Sequence, residues 1–512
     1  MTKSILIIGA GHNSLVCAAY LAKAGHQVTV FEAADRIGGA AVTREFAPGF
    51  KVSAGAHLLY LLDEGIRKEL GLESYGLKMA KSNMDTISLD PGGNHVRIAG
   101  PEVQGVSADD QASMKEYHRM MSRFAGVIAG MHNRIPPRMG TWDKSDLLSL
   151  ARIGWDIRKM GKDDMREFMR IAGINVFDVL QENFDSELLK GALSLDGTLG
   201  TFLGTRSNNS VFCALYRMSN GGNYSLPAGG MGAVSDAIAA AARANGAEIH
   251  TSRPVKSILM DFDRAAGIEL ESGEKIEADI VVSGADPKTT FNKLLGAQNL
   301  EAGFANRIHN IRSKGNVAKL HLSLSGAPEF GGLDASLIGE RLVIAPSFEY
   351  VEHAFNHAKY GEHSAQPVME ITIPSINDDS LAPAGQHVLS ANVQWAPHQL
   401  RAGWSVSKES FRNVVIDTLA AYAPGIRDQI LHSEILTPQD IESEFRITGG
   451  HWHHAELSID QAMMMRPVPG AAQYAAPVHG LWMCGAGCHP GGGVMGSAGR
   501  NAAQAIIAGG MS

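Results

Sequence analysis

The sequence predicts an α/β chain: one doubly wound domain assembled from separated segments, with a mixed α+β domain inserted between them. Three stretches carry that reading. The chain opens on "ILIIGAGHNSLVCAAYLAKAGHQVTVFE", an apolar strand, a glycine turn, a helix and a second strand. A second α/β stretch starts at "GGMGAVSDAIAAAARANGAEIH", and the chain closes on strand, glycine turn and helix in "GLWMCGAGCHPGGGVMGSAGRNAAQAIIAGG". Residues 1–105, 222–300 and 445–512 are expected in the first domain, and 106–221 and 301–444 in the inserted one.

Each element follows from its hydrophobic period. Ile5–Ile8 is a short buried-strand run, Leu15–Ala24 is apolar all along a helical pattern, and Val28–Phe31 is the next strand. From Asp109 to Phe184 apolar residues recur at three- and four-residue steps, as in "MKEYHRMMSRFAGVIAGMH", which predicts helices. Gly230-Met231-Gly232 opens a further helix that Gly246 closes. Glu248–Met260 reads as strands around Arg253-Pro254, and "IEADIVVSGADP" adds another. Between Asn316 and Trp395, "AKLHLSLSG", "VMEITIPS" and "HVLSANVQW" predict strands, and Glu409–Ala421 a helix.

Composition narrows the function classes. Of 512 residues 45% are hydrophobic and 19% charged, enough for a sizeable core. Net charge is -8 with no long basic run, so nucleic acid is not an expected partner. The 57 glycines cluster at a few places, which points to close backbone approach rather than disorder. Cys17, Cys213, Cys484 and Cys488 form no C-x-x-C pair and no zinc pattern. Free thiols, no run of membrane-span length and a first strand by Ile5, too early for a leader, set the expectation of a cytoplasmic protein.

The first turn carries the chemistry. Gly9 permits a tight turn, and Gly11 lets a pyrophosphate approach the following helix N-terminus, where free N–H groups favour anions. Glu32 ends the second strand roughly 20 residues on, where an acid accepts hydrogen bonds from ribose hydroxyls and repels a 2′-phosphate. Ser14 replaces the third glycine of the usual G-x-G-x-x-G pattern. That glycine serves helix–strand packing, so the phosphate turn survives. The result is a Rossmann-type dinucleotide site. Arg36, the pair Gly38-Gly39 and the C-terminal glycine turn favour FAD over NAD, because an extended flavin dinucleotide needs further backbone approach along its length.

These motifs, with "RIGGAAVTREFAPGF", "ADIVVSGADP" and "ELSIDQAMMMRPVPG", resemble the phytoene-desaturase-like FAD-dependent oxidoreductases of the amine-oxidase-fold flavoprotein superfamily. Within it the chain looks most similar to the pyridine nucleotide-disulfide oxidoreductase domain-containing subgroup. The resemblance implies that Gly9, Gly11 and Glu32, beside Ser14, hold the ADP half of FAD. Arg36, Gly38, Gly39, Ala40 and Ala41 would line the pyrophosphate and ribityl chain. Gly55, Ala56 and His57 would lie beside the isoalloxazine, Val255 at the adenine with Gly284 and Ala285 nearby, and Gly485, Gly493, Val494 and Met495 would complete the site. Ala486 stands where many relatives carry an acid. Disulfide chemistry finds no support, since no paired cysteine is present.

His57 and His489 adjoin the two flavin turns and are the candidate catalytic groups; the bland alternative is a hydrogen bond within each turn. His451, His453 and His454 with Glu456 lack metal-ligand spacing and are expected to face solvent or a substrate channel, so no metal is expected. Arg466 suits either a substrate carboxylate or a structural ion pair. Met463-Met464-Met465 reads as core filler or channel lining. Trp155, Arg158 and Lys159 read as a solvated helix face or a peripheral membrane contact. The expected function is an FAD-dependent dehydrogenase or desaturase that takes a hydride from a C–H bond of a small or apolar organic substrate, with oxygen, a quinone or another acceptor reoxidising the flavin. A C–N oxidase and a non-catalytic flavin-binding protein are the alternatives.

Overall fold

Strand β1 (Ser4–Ile8) is the axis of a five-stranded parallel sheet. It pairs on one side with β2 (Gln27–Phe31), Ile5 opposite Val28, and on the other with Ile280–Ser283, Ile5 opposite Ile280. Glu248–His250 lies outside β2, and Leu481–Met483 lies outside Ile280–Ser283. Strands from three distant parts of the chain therefore make one sheet, the order expected of a doubly wound domain. The computed structural model describes residues 2–138, 140 and 142–509.

Helix α1 (His12–Lys23) is buried on nearly every face, because Gly232–Ala244 and Ser497–Gly509 both pack on it. Its small residues, Ala18, Ala19 and Ala22, permit that double contact. Observed elements agree with the sequence reading to within a few residues, the helix expected at Glu409–Ala421 beginning at Trp404 instead.

An eight-stranded sheet dominates the rest of the fold. Its central strands, Val317–Leu324, His387–Gln394 and Val368–Thr372, run antiparallel. One face carries Leu320, Leu322, Leu389 and Ile371 into a core with Phe411, Val415 and Leu419 of helix Trp404–Ala420. Helices between Ala108 and Met218 bury Met121, Phe124, Leu180, Leu189 and Leu215 in a separate core. The strands Thr86–Ser88, Val96–Ala99 and Glu102–Gln104 extend the large sheet, through parallel pairing of Thr86–Ser88 with Arg341–Val343. Residues 86–104 were expected with the nucleotide-binding segments; short strands with weak alternation do not reveal which sheet recruits them.

Ser14 has a structural use. Its hydroxyl accepts a hydrogen bond from the Cys484 thiol at 3.7 Å and occupies the space a side chain on Gly284 would need. The close helix–strand approach normally given by a third glycine in the turn is thus supplied by Gly284 on the neighbouring strand end. Gly284→Ala is expected to destabilise the protein by about 2 kcal/mol through overpacking. Ser14→Gly in the same chain should recover more than half of that loss in urea unfolding. An unchanged midpoint for Gly284→Ala, or no recovery in the double variant, would overturn this account.

Candidate active site

The β1–α1 turn leaves donors open. Gly9 takes φ +85°, a conformation that favours glycine. Gly11 is the N-cap of α1, which no side chain caps and whose first turn holds no acid. The free N–H groups there are a ready anion site. The Gly38 N–H donates to the Ala10 carbonyl at 2.8 Å, which docks the second glycine turn on the first. Glu32 accepts from the Ala10 N–H at 2.6 Å and the Ala34 N–H at 2.8 Å, so its carboxylate is held at the strand end with lone pairs left for a ribose.

A cleft of about 370 Å³ runs from these turns into the space between the two sheets. Of the residues the sequence placed around the cofactor, every one lines this cleft except Met495. Met495 is buried one position beyond Val494, against Leu61, Cys213, Tyr216 and Leu457. The uncapped helix end, the paired glycine turns and the length of the cleft fit an extended dinucleotide.

The far end of the cleft is built by the large sheet. Lys319, Asn392 and Glu370 stand in register on three neighbouring strands and form a polar row. Asn392 bridges them: its Oδ1 accepts from the Lys319 ammonium at 3.0 Å and its Nδ2 donates to Glu370 Oε2 at 2.9 Å. Glu370 also accepts from Arg341 Nε at 2.8 Å and Arg217 Nη2 at 2.9 Å. Asp196 pairs with both Arg341 and Arg217. The Arg217 guanidinium lies 4.7 Å from the Tyr60 ring centre. The neighbouring guanidiniums hold the Glu370 carboxyl well below its usual range despite burial.

His57 reaches this row from the nucleotide-binding side. Its Nε2 lies 3.0 Å from both Glu370 Oε2 and Asn392 Nδ2, and the Thr372 hydroxyl is 3.4 Å from Nδ1. The ionised carboxylate can only accept and Asn392 Nδ2 already donates to it, which favours the proton on Nε2 and leaves Nδ1 to accept from Thr372. Burial, helped by the Lys319 charge, lowers the His57 pKa to about 4, so the ring is neutral at pH 7. With both nitrogens engaged, His57 orients its neighbours and is not free to carry a proton.

Other candidates fall elsewhere. His489 does not line the cleft: its Nε2 meets the Met131 carbonyl at 2.9 Å, on the far side of the C-terminal turn. The catalytic role expected for it loses its geometric basis. Adjacency to a glycine turn does not say which side of the turn a ring occupies. Among the described residues Arg466 forms no ion pair with a carboxylate; it is fully buried and donates to the carbonyls of Ala486, Cys488, Glu456, Gln461 and His453. It clamps two loops of the cleft wall. His453 and His454 line the cleft, and His451 and Glu456 are buried beside them, so the cluster does not face solvent. Met463–Met465 sits in a one-turn helix with no buried residue, outside both core and cleft. Trp155 is exposed with the Lys159 ammonium over its ring. None of the four cysteines lines the cleft, and all are buried.

Lys319, Asn392, Glu370 and Arg217 went unrecognised in the sequence. A signal was present: the strands "VAKLHLSL", "VMEIT" and "HVLSANVQ" place polar residues at every second position, yet nearly all of their residues are buried. Buried strands with a polar face mark the wall of a site.

Fold and cleft together define an FAD-binding flavoprotein oxidoreductase. The chain belongs to the flavin containing amine oxidoreductase family, whose match spans residues 15–507. It is 34% identical to a Rattus norvegicus protein called pyridine nucleotide-disulfide oxidoreductase domain-containing protein 2, over 98% of this chain and 93% of that one. It is 26% identical to one of the polypeptides of the limonene dehydrogenase of Castellaniella defragrans, over 98% of this chain and 94% of that one. The crystal structure of an oxidoreductase from Methanosarcina mazei shares the fold with a TM-score of 0.62, at 20% identity, over 99% of this chain and 100% of that one. Among the described residues no helix is long and apolar enough to cross a membrane, and no group of His, Cys, Asp or Glu is placed to hold a metal.

Two outcomes follow from the buried groups. Arg466→Met removes a donor from each of five carbonyls, only one of which, that of Glu456, keeps another from Gln461, and should cost at least about 3 kcal/mol in urea unfolding and lower the FAD content of purified protein. Burial also lowers the pKa of His12, His454 and His489 to about 4. Below pH 6.5 the unfolded chain protonates these rings and His57, whereas the folded chain does so only near pH 4. Stability should therefore fall as pH drops from 6.5 to 4, by up to about 1.4 kcal/mol per pH unit for each ring. Urea midpoints at pH 7.5 and 5.0 check this; equal midpoints would refute it.

Proposed function

We propose that this protein is an FAD-dependent dehydrogenase that removes a hydride from a C–H bond of a small organic substrate. The observation that carries the reading is one continuous cleft, with two docked glycine turns and an open helix end at one extremity and the buried row Lys319–Asn392–Glu370 at the other. Bound FAD supplies the two-electron acceptor. Gly9, Gly11 and Glu32 would hold its ADP half, and Gly55, Ala56 and His57 would lie beside its ring system.

The chain's own residues then do four things. The α1 N-terminus stabilises the pyrophosphate charge. Glu370, saturated by four donors, fixes the position of His57 and Asn392. Tyr60, Trp452 and Phe445 supply apolar walls that exclude water. Arg466 holds the 453–461 and 486–488 loops against the cleft. The limonene dehydrogenase relationship supports dehydrogenation at carbon. An oxidase of C–N bonds is the alternative that the family's description favours. Oxygen, a quinone or another acceptor would reoxidise the flavin. Trp155, with Arg158 and Lys159, offers a peripheral membrane contact, which retention on anionic vesicles would report.

Purified protein should be yellow and release FAD on denaturation; colourless protein that also fails to take up added FAD would sink the cofactor reading. Anaerobic bleaching against alcohols, amines, cyclic ketones and polyenes identifies the bond oxidised, and bleaching by amines alone would favour the C–N oxidase. His57→Ala should slow flavin reduction at least about tenfold, roughly one lost hydrogen bond to a charged group, while FAD affinity changes less. His57→Gln, which can still donate to Glu370, should recover part of the rate. Equal reduction rates in His57→Ala and parent would reject a role for this ring.

A further inference from the structure

Two phenols stand at the far end of the cleft, and the protein consumes the hydroxyl of one of them. Tyr224 donates to Asp196 Oδ1 at 3.1 Å and accepts from Arg217 Nη2 at 3.4 Å. Tyr60 packs beside it, with ring centres 5.5 Å apart, and lines the cleft. The Tyr60 hydroxyl makes no hydrogen bond among the described residues, and it is not sealed inside the protein.

The rest of Tyr60 is held firmly. Leu59 exchanges both of its backbone hydrogen bonds with Ser225 at 2.9 Å, which pins the chain one residue before the phenol. The Arg217 guanidinium lies 4.7 Å from the ring centre, and Asp196 and Glu370 hold that guanidinium in turn. Charges around the ring balance: Arg217 and Arg341 are matched by Glu370 and Asp196. A charged ligand would upset that balance in a poorly solvated place. Burial raises the Tyr60 pKa, and the Arg217 charge offsets only part of the rise. The phenol stays protonated at pH 7 and is a donor. The cation on its ring face polarises it and strengthens that donor.

We propose that the Tyr60 hydroxyl binds an uncharged carbonyl oxygen of the substrate, which makes the substrate class a small, otherwise apolar carbonyl compound. The inference rests on the FAD-dehydrogenase reading above and narrows its substrate. A carbonyl accepts without donating and adds no charge, so it suits a fixed donor among balanced ion pairs. An ammonium would bring further donors towards the Arg217 charge. The Tyr60 ring remains an apolar wall, and its hydroxyl is the polar handle that orients the molecule in the cleft.

The test uses FAD-loaded protein and the change in flavin absorbance on titration. Cyclohexanone is compared with methylenecyclohexane, and acetophenone with α-methylstyrene, pairs in which a methylene group replaces the oxygen. In at least one pair the ketone should bind about fivefold or more tighter, the size of one hydrogen bond. Cyclohexylamine and benzoate should bind more weakly than the corresponding ketones. Tyr60→Phe keeps the ring on which Arg217 rests, and should abolish the preference for the ketone while leaving the affinity for its methylene counterpart unchanged. The proposal is overturned if neither ketone is preferred, if cyclohexylamine or benzoate binds as tightly as the corresponding ketone, or if Tyr60→Phe retains the preference. It is also overturned if Tyr60→Phe unfolds in urea as the parent does but binds FAD about tenfold more weakly, because the hydroxyl would then serve the cofactor. Should Tyr60→Phe fail to fold, the ligand comparison on the parent protein decides by itself. Protein that holds FAD but shows no ketone preference refutes this inference and leaves the flavin reading standing, whereas protein that takes up no FAD overturns both.

Discussion

The Glu370 carboxylate is the interaction on which the site depends. Four donors converge on it from different parts of the chain: Arg341 and Asn392 from the large sheet, Arg217 from helix Ser210–Met218, and His57 from the loop after the second glycine turn. A buried charge tolerates no loose arrangement, because each missing donor leaves it partly desolvated and unpaired. Such a hub adds little net stability compared with a well-packed apolar core. It does define how the nucleotide-binding segments, the helical region and the large sheet meet, and so where the cleft lies.

The opposite end of the cleft follows a different logic. There the lining offers backbone N–H groups, and what matters is how closely strand and helix ends approach. Ser14 fills space that Gly284 leaves, and Gly38 docks on Ala10, so the turns sit where N–H groups can reach a pyrophosphate. Arg466 performs the equivalent task for the C-terminal loops by gathering five carbonyls that no secondary structure satisfies. One end is therefore held by side-chain charge, the other by glycine geometry.

These two logics explain what could be read in advance. Backbone sites leave local traces: Gly9, Gly11, Glu32 and Gly38-Gly39 carry their meaning within a few dozen residues, and the observed cleft gathers them. The side-chain site leaves almost none. Lys319, Glu370 and Asn392 lie on separate strands, and Arg217 precedes Glu370 by 153 residues. Their only trace is alternation of polar and apolar residues in strands that turn out to be buried on both faces. His57 and His489 looked equivalent because each adjoins a glycine turn; the structure turns one towards Glu370 and the other towards Met131.

By itself the sequence determined the doubly wound arrangement, the FAD cofactor and the glycine turns that line the cleft, because hydrophobic period and turn chemistry are short-range properties. Only the tertiary structure decided which side chains face the cleft, that Arg466 clamps loops, and that Lys319, Asn392 and Glu370 form one row. Strand register makes that decision. A register of one residue more or less would send Lys319, Asn392 and Glu370 to the apolar face, and no local pattern states which strands will be neighbours.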